Sequence, residues 1–243
     1  MTPILKVITE YCSQYVDDIR LSDLMFVDMP LYARRMYQYL NVGLPLFSIP
    51  ANMQEYLLGT KDNSRFVEPK YDSTLYTTTK DYNTDFEINL GQDYKGYELC
   101  ACRVKTIDKT GNTILTPIPV NYNAETGVVS ISVTIDNPIS SGTVFDFDFY
   151  TDGYFTADLT PSIMNILGMC FQVVWQDRFN TDWLSMVTKV EDKSFYEQNR
   201  ANKIKADTER LYQLRQKLYS EMRRYDQNLY QSQTVNSSRM PKI

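Results

Sequence analysis

Five acids, Asp85, Glu87, Asp136, Asp146 and Asp148, lie in stretches where apolar and polar residues alternate, the pattern of half-buried strands. Asp146 and Asp148 fall on one face of one strand, about 7 Å apart. Paired carboxylates at that spacing could hold calcium or cleave a glycosidic bond. The same row would equally serve as the wetted face of a β-sandwich, where acids discourage edge-to-edge pairing. The second reading is preferred, because no D-x-D-x-D-G calcium loop accompanies the acids and Asp152-Gly153 reads as a turn. The chain contains no histidine. That excludes Ser-His-Asp and Cys-His nucleophiles, His-ligated metals and His-based pH switching.

Other chemistry-bearing residues are sparse. Cys100 and Cys102 form a C-x-C pair on a predicted strand, near the far limit of disulfide geometry. With Cys12 and Cys170 they are expected to be reduced, partly buried thiols; no second pair completes a zinc set. Trp175 and Trp183 could form a sugar platform, but apolar neighbours at helical spacing favour core packing. Arg223 and Arg224 lie among Tyr219, Tyr225 and Tyr230, a mixture that could stack bases and bind phosphate, or anchor a protein partner. The protein partner is favoured, since acids interrupt the basic stretch. No phosphate-loop, nucleophile-elbow or dinucleotide-binding motif is present, and glycine is scarce at 9 residues. No metal, cofactor or catalytic residue is expected.

Charge is divided along the 243 residues. Residues 1–192 hold 14 basic and 25 acidic side chains, and residues 193–243 hold 11 and 5. An acidic body with a basic arm favours contact between unlike surfaces. The first residues lack a secretory pattern, and no apolar run is long enough for a membrane span.

The elements that would carry these residues alternate in period. Residues 1–60 read as helices: Leu5, Ile8, Cys12, Tyr15 and Ile19 share a helical face, Leu21-Ser22-Asp23 reads as a break and new cap, and Met53 to Leu58 form a short helix closed by Gly59. Residues 61–81 read as a linker, in which Thr77-Thr78-Thr79 could instead form a strand. From 82 to 156 the period is two, with turns at Asp108–Asn112, Asn123–Gly127 and Asp152-Gly153, which predicts an inserted antiparallel sandwich or barrel. Thr160-Pro161 caps a returning helix in 157–192, with an interruption at Asn180-Thr181-Asp182.

Residues 193–230 then read as one helix, roughly 50–55 Å long. It carries a narrow heptad-like seam of Leu211, Leu214, Leu218, Tyr225 and Leu229, with Met222 as a further apolar residue beside it. With the N-terminal helices satisfied by 157–192, this seam, together with Met222, Arg223 and Arg224, is expected to bind a partner. Residues 231–243 read as a flexible polar tail that could order on a neighbour. The predicted class is therefore α+β: a helical bundle from both chain ends, an inserted β domain, and a long C-terminal helix.

The helical entry Asp23–Leu58, the inserted sheet Tyr82–Tyr154, the helix Thr160–Phe179 and the arm Phe195–Tyr230 together give a layout that resembles the head-to-tail connector proteins of tailed bacteriophages, the neck or ring adaptors stacked below a portal. The histidine-free composition, rich in Asn, Asp and Tyr, looks like structural proteins of crAss-like phages. The resemblance implies a non-enzymatic virion subunit, made in the host cytoplasm. It would form a homo-oligomeric ring against a portal-like protein and other ring or tail proteins. An inserted β domain is additional to the simplest helical adaptors. The competing expectation is a binding module whose sandwich recognises a glycan or a protein surface.

Overall fold

The computed structural model describes the backbone of residues 1–16, 19–107, 111–133, 138–187 and 196–238, and the side chains of 1–16, 23–107, 111–133, 138–178 and 205–231. The fold is α+β. β1 (Thr2–Pro3) leads into α1 (Ile4–Val7), a π-helical turn at Ile8–Cys12 and a 3-10 turn at Ser13–Tyr15. A single regular helix was expected here; the hydroxyls of Thr9 and Ser13 instead donate to carbonyls four residues back, a competition that distorts helices. Next come α2 (Ile19–Val27) and α3 (Met29–Gly43). The break expected at Leu21-Ser22-Asp23 lies inside α2. It falls instead at Asp28, whose carboxylate accepts from the Leu31 N–H at 3.0 Å while Pro30 occupies the first turn.

α4 (Met53–Leu58) ends as predicted at Gly59. Its φ is +80°, and a Cβ there would lie 2.1 Å from the Asn63 carbonyl oxygen, so only glycine fits. Short strands β2 (Gly59–Thr60), β3 (Asn63–Ser64) and β4 (Phe66–Val67) follow. The middle of the chain forms β5 (Lys70–Thr77), β6 (Phe86–Asn89), β7 (Glu98–Ile107), β8 (Thr113–Pro117), β9 (Val120–Asn123), β10 (Val128–Ile131) and β11 (Val144–Thr151). β12 (Tyr154–Phe155) then precedes α5 (Pro161–Val187) and α6 (Tyr196–Ser238).

Two compact units result, Met1–Val67 with Gly153–Ile243, and Glu68–Asp152. The first is the helical unit. β1, β12 and β4 make a small antiparallel sheet that joins its two chain segments. Buried Thr2 reinforces the join: its hydroxyl accepts from the Leu159 N–H at 2.8 Å and donates to the Ala157 carbonyl at 3.1 Å. The core gathers Ile4, Ile8, Tyr32, Met36, Leu40, Leu167 and Phe171 from α1, the π turn, α3 and α5, with Phe47 from just after the 3-10 turn Leu44–Leu46. α5 is continuous through Asn180-Thr181-Asp182, where an interruption was expected. Asn, Thr and Asp lower helix propensity by only a few tenths of a kcal/mol each, too little to stop a helix already propagating.

Close approach in this unit depends on small residues. A Cβ on Gly168 of α5 would sit 2.8 Å from the Tyr11 carbonyl oxygen and 3.0 Å from the Tyr15 ring. Gly168→Val should therefore push α5 off the N-terminal segment. A loss of about 1–3 kcal/mol is expected in urea unfolding, overpacking outweighing the better helix propensity.

The second unit is two antiparallel sheets around one core. One runs β6-β10-β9 and the other β5-β11-β7-β8. Phe86, Ile88, Val129 and Ile131 of the first pack with Cys102, Phe145, Phe147 and Phe149 of the second, a sandwich arrangement. β5 lies within residues 61–81, which sequence periodicity assigned to a linker. Its eight residues pair with all of β11, from Lys70↔Thr151 to Thr77↔Val144.

Candidate functional site on the C-terminal helix

The residues expected to bind a partner turn out to divide between two faces of α6. Leu218 and Met222 are 4% and 1% exposed and belong to the core of the helical unit. Leu211, Leu214 and Tyr225 are half-buried against that core, and Tyr225 meets Phe47 edge-on, ring centroids 6.4 Å apart. Leu229 is half-buried as well. The seam that was expected to stay open for a partner is thus closed within the chain. An apolar stripe demands cover, and α5 together with the segment around Phe47 supplies it.

Arg223 and Arg224 lie outside this seam, Arg223 on the outer face and Arg224 at the edge nearer α5. Both are exposed. The Arg223 guanidinium sits over the Tyr219 ring, 5.4 Å from its centroid, a cation–π contact that holds the arginine against the helix surface. Arg224 pairs with Glu221 at 3.7 Å. Arg215 reaches Asp177 of α5 at 3.9 Å, with both side chains more than half exposed, so this pair contributes little.

Arg224 and Tyr225 share a polar cleft with Ser162, Asn165, Ile166, Glu221 and Asn228, about 260 Å³ in volume, between the first turns of α5 and the Glu221–Asn228 stretch of α6. Glu221 already balances Arg224 there, so the cleft carries no net charge of its own. Burial, then Tyr56, raises the Tyr225 pKa. Burial also raises Tyr15, with Cys12 and Glu221 adding to it.

Sequence reasoning missed Tyr212. It is 63% exposed, against 47% for Tyr219 and 69% for Tyr230. The seven-residue step from Tyr212 to Tyr219 was the available signal, hidden because heptad spacing was credited to the leucines alone. α6 also runs to Ser238, so most of the stretch read as a flexible tail continues the helix; residues 239–243 lie outside the described residues.

The acids of the sandwich are spread out. Asp146 and Asp148 share the outer face of β11, and Asp148 pairs with Arg103 of β7 at 2.5 Å. Asp85 accepts from the Val133 N–H at 2.8 Å. Glu87 is exposed on β6, and Asp136 lies outside the described residues. Among the described residues no group of three or more His, Cys, Asp or Glu could hold a metal ion. Among the described residues no helix is long and apolar enough to cross a membrane. A second cleft, about 470 Å³, is lined by Gly96, Tyr97, Glu98, Leu99, Val120, Tyr122 and Ala124. Trp175 packs edge-on against Tyr39 at 4.9 Å and stacks with Phe171 at 6.2 Å, a core role; the Trp183 side chain lies outside the described residues.

All four cysteines are free thiols. A bulge between Asp148 and Phe149 leaves Cys100 unmatched in the β7–β11 ladder, breaking its alternation with Cys102. Burial pushes the Cys170 thiol up to about 12, and burial with Asp146 nearby does the same to Cys102. Burial, then Cys170, raises Cys12 further. Burial, then Cys12, raises the Tyr32 phenol to about 12. The shifted groups among the described residues are all thiols and phenols moved upward. Each favours the protonated fold, so this stability is fully present below the unfolded values, near pH 9 for thiols and 10 for phenols, and is lost as pH rises from there through the raised folded values. Each proton that the unfolded chain loses first adds a slope of about 1.4 kcal/mol per pH unit. Urea midpoints at pH 7.5, 9 and 10.5 should drop only between the last two.

Comparison of the chain with models of protein families, with curated proteins and with solved structures finds no match to any of the three.

Proposed function

We propose that the chain is a non-enzymatic structural subunit of a viral head-to-tail connector, a ring component that joins portal and tail through its helices and C-terminal arm. One observation carries this reading: α6 is 43 residues long, about 65 Å, while its described apolar seam runs only from Leu211 to Leu229. A helix that extends well past its own core, with tyrosines and arginines directed outward, is built to meet another surface. The α+β layout, with helices from both chain ends and a sandwich between them, supports the same reading through its resemblance to neck proteins.

Quantitative mass spectrometry of purified particles tests it. The expected result is a fixed, ring-sized ratio of this chain to a portal-like protein. Absence from particles would sink the proposal. The cleft beside Tyr97 and Tyr122 favours a second reading, a module that binds a glycan or a protein surface, since tyrosine rings flanked by Glu98 can stack on and hydrogen-bond a sugar. Saturable glycan-array binding that is lost in Tyr97→Ala would favour it.

A further inference from the structure

The outer face of α6 carries Lys205, Tyr212, Tyr219, Arg223 and Tyr230, all exposed. Their offsets of 7, 14, 18 and 25 residues place them within about 40° of one another around the helix. The exposed charges of α6 between 205 and 231 are Lys205, Arg210, Arg215, Lys217, Arg223 and Arg224, against Glu209 alone; Asp207, Glu221 and Asp226 are half-buried. This face is aromatic and positive, and α6 packs its own core with the other side.

The complementary surface is on the same chain. The Glu68–Asp152 unit holds six basic and thirteen acidic side chains. On its three-stranded sheet, Glu87, Ser130 and Asn121 form one cross-strand row, and Asn89, Val128 and Asn123 the next. These alternate with the buried residues Phe86, Ile88, Val129 and Ile131, so they make the outer face, which Asp85 extends along β6. Apart from half-buried Val128, that face carries acids, amides and a hydroxyl, and these strands place no Lys or Arg on it. Tyrosine hydroxyls and a guanidinium are complementary in charge and hydrogen-bonding character to such a surface.

We propose that the Tyr212–Tyr219–Arg223–Tyr230 face of α6 docks on the outer face of the β6-β10-β9 sheet of a second copy of this chain. Helix-to-helix pairing through this face would set basic side chains against each other, so the contact is head-to-tail rather than two-fold. A repeated head-to-tail contact closes into a ring where its rotation permits. The inference rests on the structural-subunit reading and names the surfaces such a subunit would use.

The test uses two full-length variants with exposed substitutions that leave both cores intact. The helix variant is Tyr219→Ala with Arg223→Ala; the sheet variant is Glu87→Lys with Asn121→Lys. In sedimentation velocity across a concentration series, the wild type should self-associate, more weakly as salt is raised. Each variant alone should lose at least about tenfold in association. Mixed, they should form a 1:1 complex and stop there, because each retains the surface the other lacks. A monomeric wild type, a variant that associates like wild type, or a mixture that stays monomeric would each overturn the proposal. Fixed ring-sized incorporation into particles, with unchanged association of the helix variant, would sink this contact alone. Absence from particles would sink the connector reading while leaving the contact standing.

Discussion

Met222→Asp should release α6 from the helical unit. The Met222 side chain is 1% exposed, next to Leu218 at 4%, within the core shared by α5 and α3. Removing a buried Met side chain to Ala costs about 2–5 kcal/mol. A carboxylate in the same place adds several more, because no cation among the described core residues meets it there. The burial of Leu218 and Met222 contributes roughly 3–6 kcal/mol to docking, so the charge is as costly as leaving. The helix is expected to leave. Limited proteolysis reads this directly: trypsin should cut at Arg215, Lys217 and Arg223 of the variant well before it cuts the wild type. Met222→Leu keeps the volume and should cost less than about 1.5 kcal/mol. Equal protection of Met222→Asp and wild type would mean that α6 does not dock through this face.

That result bears on which parts of the molecule were legible in the sequence. Amphipathic spacing shows that a face of α6 must be covered, and it correctly marked Leu211, Leu214, Leu218, Met222, Tyr225 and Leu229. It is silent on what does the covering, and the expectation of a partner went astray there: α5 and Phe47 occupy the seam. The sandwich was legible because Phe145, Phe147 and Phe149, and Val129 and Ile131, alternate strictly with polar residues. β5 was not, because its inward Thr74 and Tyr76 and outward Ser73 and Leu75 carry no clean contrast; the ladder with β11 makes it a strand. Met53 to Leu58 and its Gly59 stop were legible since positive φ has a residue signature. Continuity of α5 past Asn180-Thr181-Asp182 was not, because weak local preferences yield to a long helix already propagating from a deeply buried first half. At the candidate site, Arg223 was marked and Tyr212 missed, for the same reason that the leucine seam was misassigned. One helix carries two seven-residue patterns, and the apolar one masks the aromatic one.

Phe147→Ala should melt the sandwich and spare the helical unit. Phe147 is fully buried, with Phe145 and Phe149 at ring-centroid distances of 6.1 and 6.4 Å on the same strand. Its loss should cost about 3–5 kcal/mol, a large fraction of what a domain of this size has to lose. Both tryptophans, Trp175 and Trp183, belong to the helical unit, so tryptophan emission reports that unit alone. Amide exchange across β7 and β11 reports the other. In the variant, exchange in the strands should accelerate at denaturant concentrations where tryptophan emission is still native. If the two signals shift together, the cores are a single cooperative unit. If they separate, the variant is a chain with an intact α6 and a damaged sheet face. It should then add to a growing head-to-tail assembly through its helix and accept no successor, so that substoichiometric amounts mixed with wild type shorten the assemblies in sedimentation velocity. A variant disordered in both units would leave wild-type assembly at its original size. The size distribution of the mixture thus separates a capping subunit from an inert one.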